Sequence, residues 1–276
     1  MKKFTILLLF ISCVINAQKK EYKHTLAGVK KVQIETGTKT KVTVGTSNML
    51  VIKDLKSSHS DHDNDYDDDC DNCNHNNRNH SKKKSDKTKG LTAIYPGGKD
   101  NTNGYGFAIF KEGNTLVVRD LKSHFQRHGI HIELPKTMNM SVDSGNLGSV
   151  NVEGFTSEVE VETNVGRIDM KNVTGPITAH TSVGPINIEF NKVNQSSPIS
   201  ISSSVSEIDV TIPANTKADL ELKTNGTVYT NFDIQMPTKK GMKNVSGIKR
   251  INSSINNGGV KIKLRSSMGN IYLRKK

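Results

Sequence analysis

Apolar and polar residues alternate with period two in the second half of this chain, and the alternation recurs at a fixed step. Asn146-Leu147-Gly148-Ser149-Val150-Asn151-Val152 is echoed by Asn164-Val165-Gly166-Arg167-Ile168-Asp169-Met170 and by Ser182-Val183-Gly184-Pro185-Ile186-Asn187-Ile188, each 18 residues after the last. A looser copy starts at Ser204, and another runs from Ser267 to Leu273. Between these copies lie Glu158-Val159-Glu160-Val161 and Pro176-Ile177-Thr178-Ala179, so strand starts fall at 149, 158, 167, 176 and 185, a nine-residue step. Extra residues between Asn191 and Ser197 delay the next start to Pro198, and the nine-residue step then resumes at Glu207. Within each unit the second and fourth residues are apolar and the third is polar, which turns one side of a strand inward and the other outward. Four or five strand residues followed by a turn rich in Gly, Asn and Ser leave no room for a helix.

These periods predict an all-β fold, a β-solenoid or single-stranded β-helix-like stack with an 18-residue coil made of two nine-residue units. Val150 and Val152 are expected to lie one coil from Ile168 and Met170, and those one coil from Ile186 and Ile188. Coils about 4.8 Å apart bring such side chains into contact. Each buried Val, Ile or Leu then contributes about 1.5–3 kcal/mol, provided a neighbouring coil covers it. Asn151, Asp169, Asn187 and Asp209 form a polar column on the outward side.

Earlier in the chain, Val32-Gln33-Ile34, Lys41-Val42-Thr43-Val44 and Leu50-Val51-Ile52 read as short strands. Order breaks at Ser57, and strands resume with Phe107-Ala108-Ile109, Leu116-Val117-Val118 and Ile130 to Leu134, closed by Pro135. The organisation expected is a signal peptide at 1–17, N-terminal strands of the β domain at 18–57, a flexible polar insertion at 58–104 and the strand-repeat domain at 105–276. The signal rests on Lys2-Lys3, an apolar run from Phe4 to Ile15 and a small residue at Ala17. The run is too short to span a bilayer, and no later segment is apolar enough, so no transmembrane span is expected in the mature chain. Cys13 raises lipidation as a competing fate, although Phe10-Ile11-Ser12 fits a lipoprotein cleavage box poorly. Periplasm, outer-membrane association and cell surface all remain open as destinations.

The formal charge is +12, and +10 once Lys2 and Lys3 leave with the signal. An exported basic protein points away from nucleic acid and towards anionic polysaccharide or the envelope surface, with other proteins as further partners. Lys82-Lys83-Lys84 and Arg274-Lys275-Lys276 are the densest positive clusters. The chain has no Trp and its aromatics are not clustered in sequence, which counts against a lectin-like aromatic platform.

Metal-like chemistry is confined to the insertion. Asp61, Asp63 and Asp65 open like a Ca²⁺ loop, but Tyr66 stands where the turn needs Gly and Asn72 where the loop closes with Glu. Cys70, Cys73 and His75 supply Zn²⁺-type donors without a second Cys pair. In an oxidising compartment Cys70 and Cys73 have a disulfide as a further fate. Cofactors are otherwise expected to be none. No Gly-x-Ser-x-Gly elbow occurs. His124, His128 and His131 lack a partner nucleophile, and His131, set between Ile130 and Ile132, is expected at the surface. A polysaccharide-acting enzyme on the strand face is the alternative, with Asp169 and Asp209 its available acids at about two coil spacings.

The stretch Gly129-Ile130-His131-Ile132-Glu133-Leu134-Pro135, followed by Met140-Ser141-Val142-Asp143-Ser144-Gly145-Asn146-Leu147-Gly148-Ser149-Val150, resembles the bacterial β-strand-repeat domain catalogued as an adhesin. Ile212-Pro213-Ala214-Asn215-Thr216-Lys217-Ala218-Asp219-Leu220 repeats the theme. The resemblance covers most of residues 105–276 and extends to 29–55. It implies an exported, solenoid-like protein whose adhesin label is inferential, and it brings no catalytic residues. Export, regular strand repeats, basic charge and the absent catalytic set point to a non-enzymatic envelope adhesin or scaffold, with a cation-binding protein acting through the insertion as a further alternative. The Asp/His/Cys insertion departs from the family pattern.

Overall fold

The computed structural model describes residues 21–55, 91, 94–122, 129–234 and 249–276. Strands begin with β1 (Tyr22–Thr25), β2 (Lys31–Glu35), β3 (Thr40–Val44) and β4 (Met49–Asp54). The hairpin β5 (Ile94–Tyr95) and β6 (Gly98–Lys99) precedes β7 (Phe107–Glu112), β8 (Thr115–Asp120), β9 (Ile130–Leu134) and β10 (Asn139–Asp143). The repeats supply β11 (Val150–Glu153), β12 (Val159–Val165), β13 (Ile168–Val173), β14 (Ile177–Val183), β15 (Ile186–Phe190), β16 (Ile199–Ser203) and β17 (Ile208–Ile212). The chain finishes with β18 (Ala218–Thr224), β19 (Val228–Thr230), β20 (Lys249–Ile255), β21 (Val260–Ser266) and β22 (Ile271–Lys275). Among the described residues no helix is long and apolar enough to cross a membrane.

Apart from the β5–β6 hairpin, the described strands form two ten-stranded sheets. One runs β1-β4-β9-β3-β11-β13-β15-β17-β22-β19 and the other β20-β18-β21-β16-β14-β12-β10-β2-β8-β7. From β10 to β17 the chain alternates between them, so each nine-residue unit supplies one strand to one sheet and the next unit one to the other. The 18-residue period is thereby the parallel step within a sheet: Val150 pairs with Ile168, Ile168 with Ile186 and Ile186 with Ile208. All four of these side chains are fully buried, and the inward residues of both sheets join one core cluster.

Chain order and spatial order part company at both ends. β2 and β3 pair with β10 and β11 on one side and with β8 and β9 on the other. At the far end β21 and β22 lie between the β16, β17 pair and the β18, β19 pair. Three of the four sheet edges are finished by an antiparallel strand: β7 on β8, β4 with β1 beside β9, and β20 on β18. The fourth ends on the three-residue β19. Antiparallel or very short terminal strands limit the open parallel edge that would recruit another chain.

One corner of the ladder is built from stacked glycines. A Cβ on Gly166 would lie 2.1 Å from the Gly148 carbonyl oxygen, and one on Gly184 2.0 Å from that of Gly166. Turn backbone therefore rests directly on turn backbone. Buried hydroxyls beneath the corner satisfy those carbonyls: Thr163 Oγ1 donates to Gly148 O at 2.8 Å, Thr181 Oγ1 to Gly166 O at 3.3 Å and Thr224 Oγ1 to Gly269 O at 2.6 Å. Without them, closely packed carbonyls facing a dry core would each lose about 1–3 kcal/mol of solvation.

Residues 94–104, at the end of the stretch assigned to the insertion, carry a further buried polar network. Asp100 Oδ1 accepts hydrogen bonds from the Thr102 amide and hydroxyl, both at 2.7 Å, and Oδ2 accepts one from Gly106 N at 3.0 Å. Thr102 Oγ1 in turn accepts one from Phe107 N at 3.2 Å, which fixes the entry into β7.

Candidate functional site

Strand register carries outward residues into long columns. On the sheet containing β11, Lys53, His131, Lys41, Asn151, Asp169, Asn187, Asp209, Tyr272 and Tyr229 lie side by side. Two shallow depressions follow this column. The first, of about 470 Å³, is lined by Lys39, Lys41, Asn151, Glu153, Asp169 and Lys171 among others. The second, of about 260 Å³, includes Asp169, Lys171, Asn187, Glu189, Asp209 and Arg274.

The acids of this column are already engaged. Asn187 Nδ2 donates to Asp169 Oδ1 at 2.8 Å. Arg274 grips Asp209 through Nε and Nη2, both at 2.8 Å, and the arginine's pKa is pushed further up by that bond. Bidentate pairing fixes the carboxylate's geometry as well as its charge. Asp169 and Asp209 thus serve as rungs of a polar ladder, not as a free acid–base pair.

His131 is half-buried, with Nε2 2.7 Å from Thr43 Oγ1. Burial lowers its pKa below the usual imidazole value, Lys41 and Lys53 lower it further, and Glu133 acts in the opposite sense. Lys53 bonds to Glu133 at 2.6 Å and reaches Glu21 at 3.4 Å, and the first contact raises its pKa. His131 is therefore a bonded surface residue, in line with its place between two inward isoleucines.

The C-terminal cationic cluster of the sequence is dispersed by the fold. Arg274 is bound to Asp209, Lys276 Nζ lies 2.5 Å from Glu189 Oε1, and Lys275 Nζ sits 5.2 Å from the Phe232 ring centroid. A different cationic band arises on the other sheet. β21 presents Lys261, Lys263 and Arg265 outward, with Lys223 of β18 and Arg250 of β20 in register beside Arg265. Asp219 and Glu221 are the acids nearest the band on β18, and Glu221 contacts Lys261 at 3.3 Å. That contact, reinforced by Arg250 and Lys263, lowers the Glu221 pKa. The alternation Lys261-x-Lys263-x-Arg265 marks an outward-facing strand in the sequence, but only the sheet adds Lys223 and Arg250.

Aromatic residues also converge, against the expectation from the sequence. Tyr229 and Tyr272 stack with ring centroids 5.2 Å apart and planes 10° apart, and the Arg274 guanidinium lies 5.3 Å from the Tyr272 centroid. Their separation along the chain concealed the pair, because β22 and β19 become neighbours only through long-range pairing.

Asp61, Asp63, Asp65, Cys70, Cys73 and His75 lie outside the described residues, as do His124, His128, Lys82-Lys83-Lys84 and the signal segment. Among the described residues no group of three or more His, Cys, Asp or Glu side chains is placed to hold a metal ion.

The chain matches no protein-family model and no curated protein. Among solved structures it is similar to the crystal structure of a "putative cell adhesion protein" from Clostridium sporogenes, at 11% identity and a TM-score of 0.41, over 93% of this chain and 99% of the other. A likeness at that level carries no argument about ligand or activity. The class that the strands themselves define is an essentially all-β protein of many short strands in mixed sheets.

Proposed function

We propose that this is an exported, non-enzymatic envelope protein, a β-solenoid scaffold that adheres to anionic polysaccharide through the cationic band of β21, β18 and β20. The observation that carries the reading is the convergence of Lys261, Lys263, Arg265, Lys223 and Arg250 on one outward face, against Asp219 and Glu221. Successive outward residues of a strand stand about 6.7 Å apart, so the three cations of β21 offer charges at regular intervals to an extended polyanion. An open depression of about 420 Å³, lined by Asp219, Glu221, Arg250 and Lys261 among others, lies within the band, and an array of this kind binds through many weak, salt-sensitive contacts. In this reading residues 18–57 and 105–276 build the scaffold and 58–104 form an insertion between its strands. Export to the periplasm or cell surface places the face where such polymers occur.

The test is retention on immobilised polygalacturonate at low salt. Wild type is expected to bind and to elute as salt rises, and a Lys261→Gln/Lys263→Gln/Arg265→Gln variant to lose at least about tenfold in affinity with an unchanged melting temperature. Equal retention of variant and wild type would refute the assignment of the face. Reducing-sugar release from the same polymer would refute the non-enzymatic part.

A further inference from the structure

A second surface feature runs along the glycine corner. Leu147, Val165, Val183, Val205 and Met268 occupy the residue before Gly148, Gly166, Gly184, Ser206 and Gly269, and they are 69%, 46%, 43%, 44% and 70% exposed. The corner contacts place them on successive rungs: Val165 N donates to Asn146 O, Val183 is in register with Val165, Val205 N donates to Ser182 O, and Gly269 packs against Ser206. Gly37 and Asn225 hold the same position on the rungs beyond, because Thr40 pairs with Val150 and Val228 with Ile271. The stripe is thus five rungs long, about 19 Å at the parallel-strand spacing, and ends abruptly at both sides. No core requirement explains it, since these side chains point to water. The outward column on the neighbouring strands is polar on the corresponding rungs (Asn151, Asp169, Asn187, Asp209).

The flanks of the stripe define the partner. On one side stand Asn146, Asn164, Ser182, Ser204 and Ser267, with Asn164 Nδ2 donating to Asn146 Oδ1 at 2.6 Å. On the other stand Ser149, Arg167, Pro185, Glu207 and Asn270. Arg167 and Glu207 are exposed, lie one rung either side of Val183, and form no ion pair among the described residues. We propose that the stripe is the contact of a two-fold dimer of this chain, with the two ladders side by side and antiparallel about an axis level with Val183. That operation lays Val165 against Val205 of the other copy and Leu147 against Met268. It also sets Arg167 opposite Glu207, twice, because a two-fold contact is self-complementary. A parallel two-fold arrangement would instead place Arg167 opposite the Asn164 flank and leave both charges unmatched. A lipid surface fits less well, because the flanks are polar and include Glu207 without a cationic rim. The stripe exposes apolar area on the order of a few hundred Å², the range in which patches mark interaction sites. With both flanks included, the contact approaches the roughly 800 Å² per partner of a stable pair.

The proposal is independent of polysaccharide binding, because the stripe and the cationic band involve different residues. It is tested by sedimentation equilibrium of the exported protein and its variants. Wild type is expected to sediment as a dimer and Val183→Asp as a monomer with its melting temperature retained. Arg167→Glu and Glu207→Arg are each expected to raise the dimer dissociation constant about tenfold, and the double reversal to restore it to within about threefold. Should Val183→Asp fail to fold, the charge reversals decide alone. A wild-type monomer at about 0.1 mM, or a double reversal no tighter than the single ones, would overturn the proposal. Vesicle binding by a monomeric wild type that Val183→Asp abolishes would overturn it in favour of a lipid surface.

Discussion

Replacing Gly166 by Ala tests whether the corner stacks backbone on backbone. The added Cβ would meet Gly148 O at 2.1 Å and Thr163 Oγ1 at 2.9 Å. Gly166 is not held at positive φ, so the cost is one of space alone. Restoring ordinary contact requires the two rungs to part by about 1 Å, against a spacing of about 4.8 Å. The bonds spanning the gap, Val150 N to Arg167 O and Val165 N to Asn146 O, are both 2.9 Å and would stretch beyond useful length. Overpacking costs about 1–3 kcal/mol and each weakened bond about 1 kcal/mol, offset by about 0.4–1 kcal/mol from the stiffer unfolded chain. A net loss of about 3 kcal/mol follows, which for a domain of this size lowers the melting temperature by roughly 6–12 °C. Gly113→Ala is the comparison, because its Cβ meets nothing within 4 Å and its φ of 59° carries only local strain, about 1–2 kcal/mol. Thermal unfolding followed by circular dichroism reads both. Gly166→Ala melting with wild type, or above Gly113→Ala, would refute the stacking argument.

Ile186→Ala, in a fully buried side chain between Ile168 and Ile208, is expected to cost about 2–5 kcal/mol in urea unfolding. Thr102→Val leaves Phe107 N without a partner and removes one of the two hydrogen bonds that Asp100 Oδ1 accepts, and hydrogen exchange is expected to report faster opening of β7, by about 1–3 kcal/mol. The folded-state pKa of His131 lies below its unfolded value of 6.5, so the unfolded chain binds more protons between the two. Stability from this site is complete above about pH 6.5 and is lost as pH falls through the folded value. Urea midpoints of wild type should fall over that window more than those of His131→Gln, and parallel curves would contradict the burial of the imidazole.

The contrast between what was legible and what was not follows the range of the interactions. Asp169 and Asp209 were visible as an outward column, because alternation on a strand is local, yet their engagement by Asn187 and Arg274 depends on neighbours in other strands. The cationic band shows the same division: Lys261, Lys263 and Arg265 announce themselves by period two, whereas Lys223 and Arg250 arrive through pairing with β18 and β20. Thr163 and Thr181 are inward polar residues of β12 and β14, and only the closeness of the stacked carbonyls shows why a hydroxyl belongs inside. Tyr229 and Tyr272 carry no joint signal at all in one dimension.

By itself the sequence determined the all-β class, the inward and outward faces and the register of β11, β13 and β15. Period two and a fixed 18-residue step leave a buried face one consistent alignment, since a one-residue slip would turn it to water. Tertiary structure alone decided that β2 and β3 lie inside β8 and β9, that β21 and β22 lie inside β18 and β19, and that antiparallel strands finish three edges. Those choices depend on which surfaces remain uncovered once the central rungs have stacked, and any strand with the right alternation meets that demand equally well until the whole ladder is assembled.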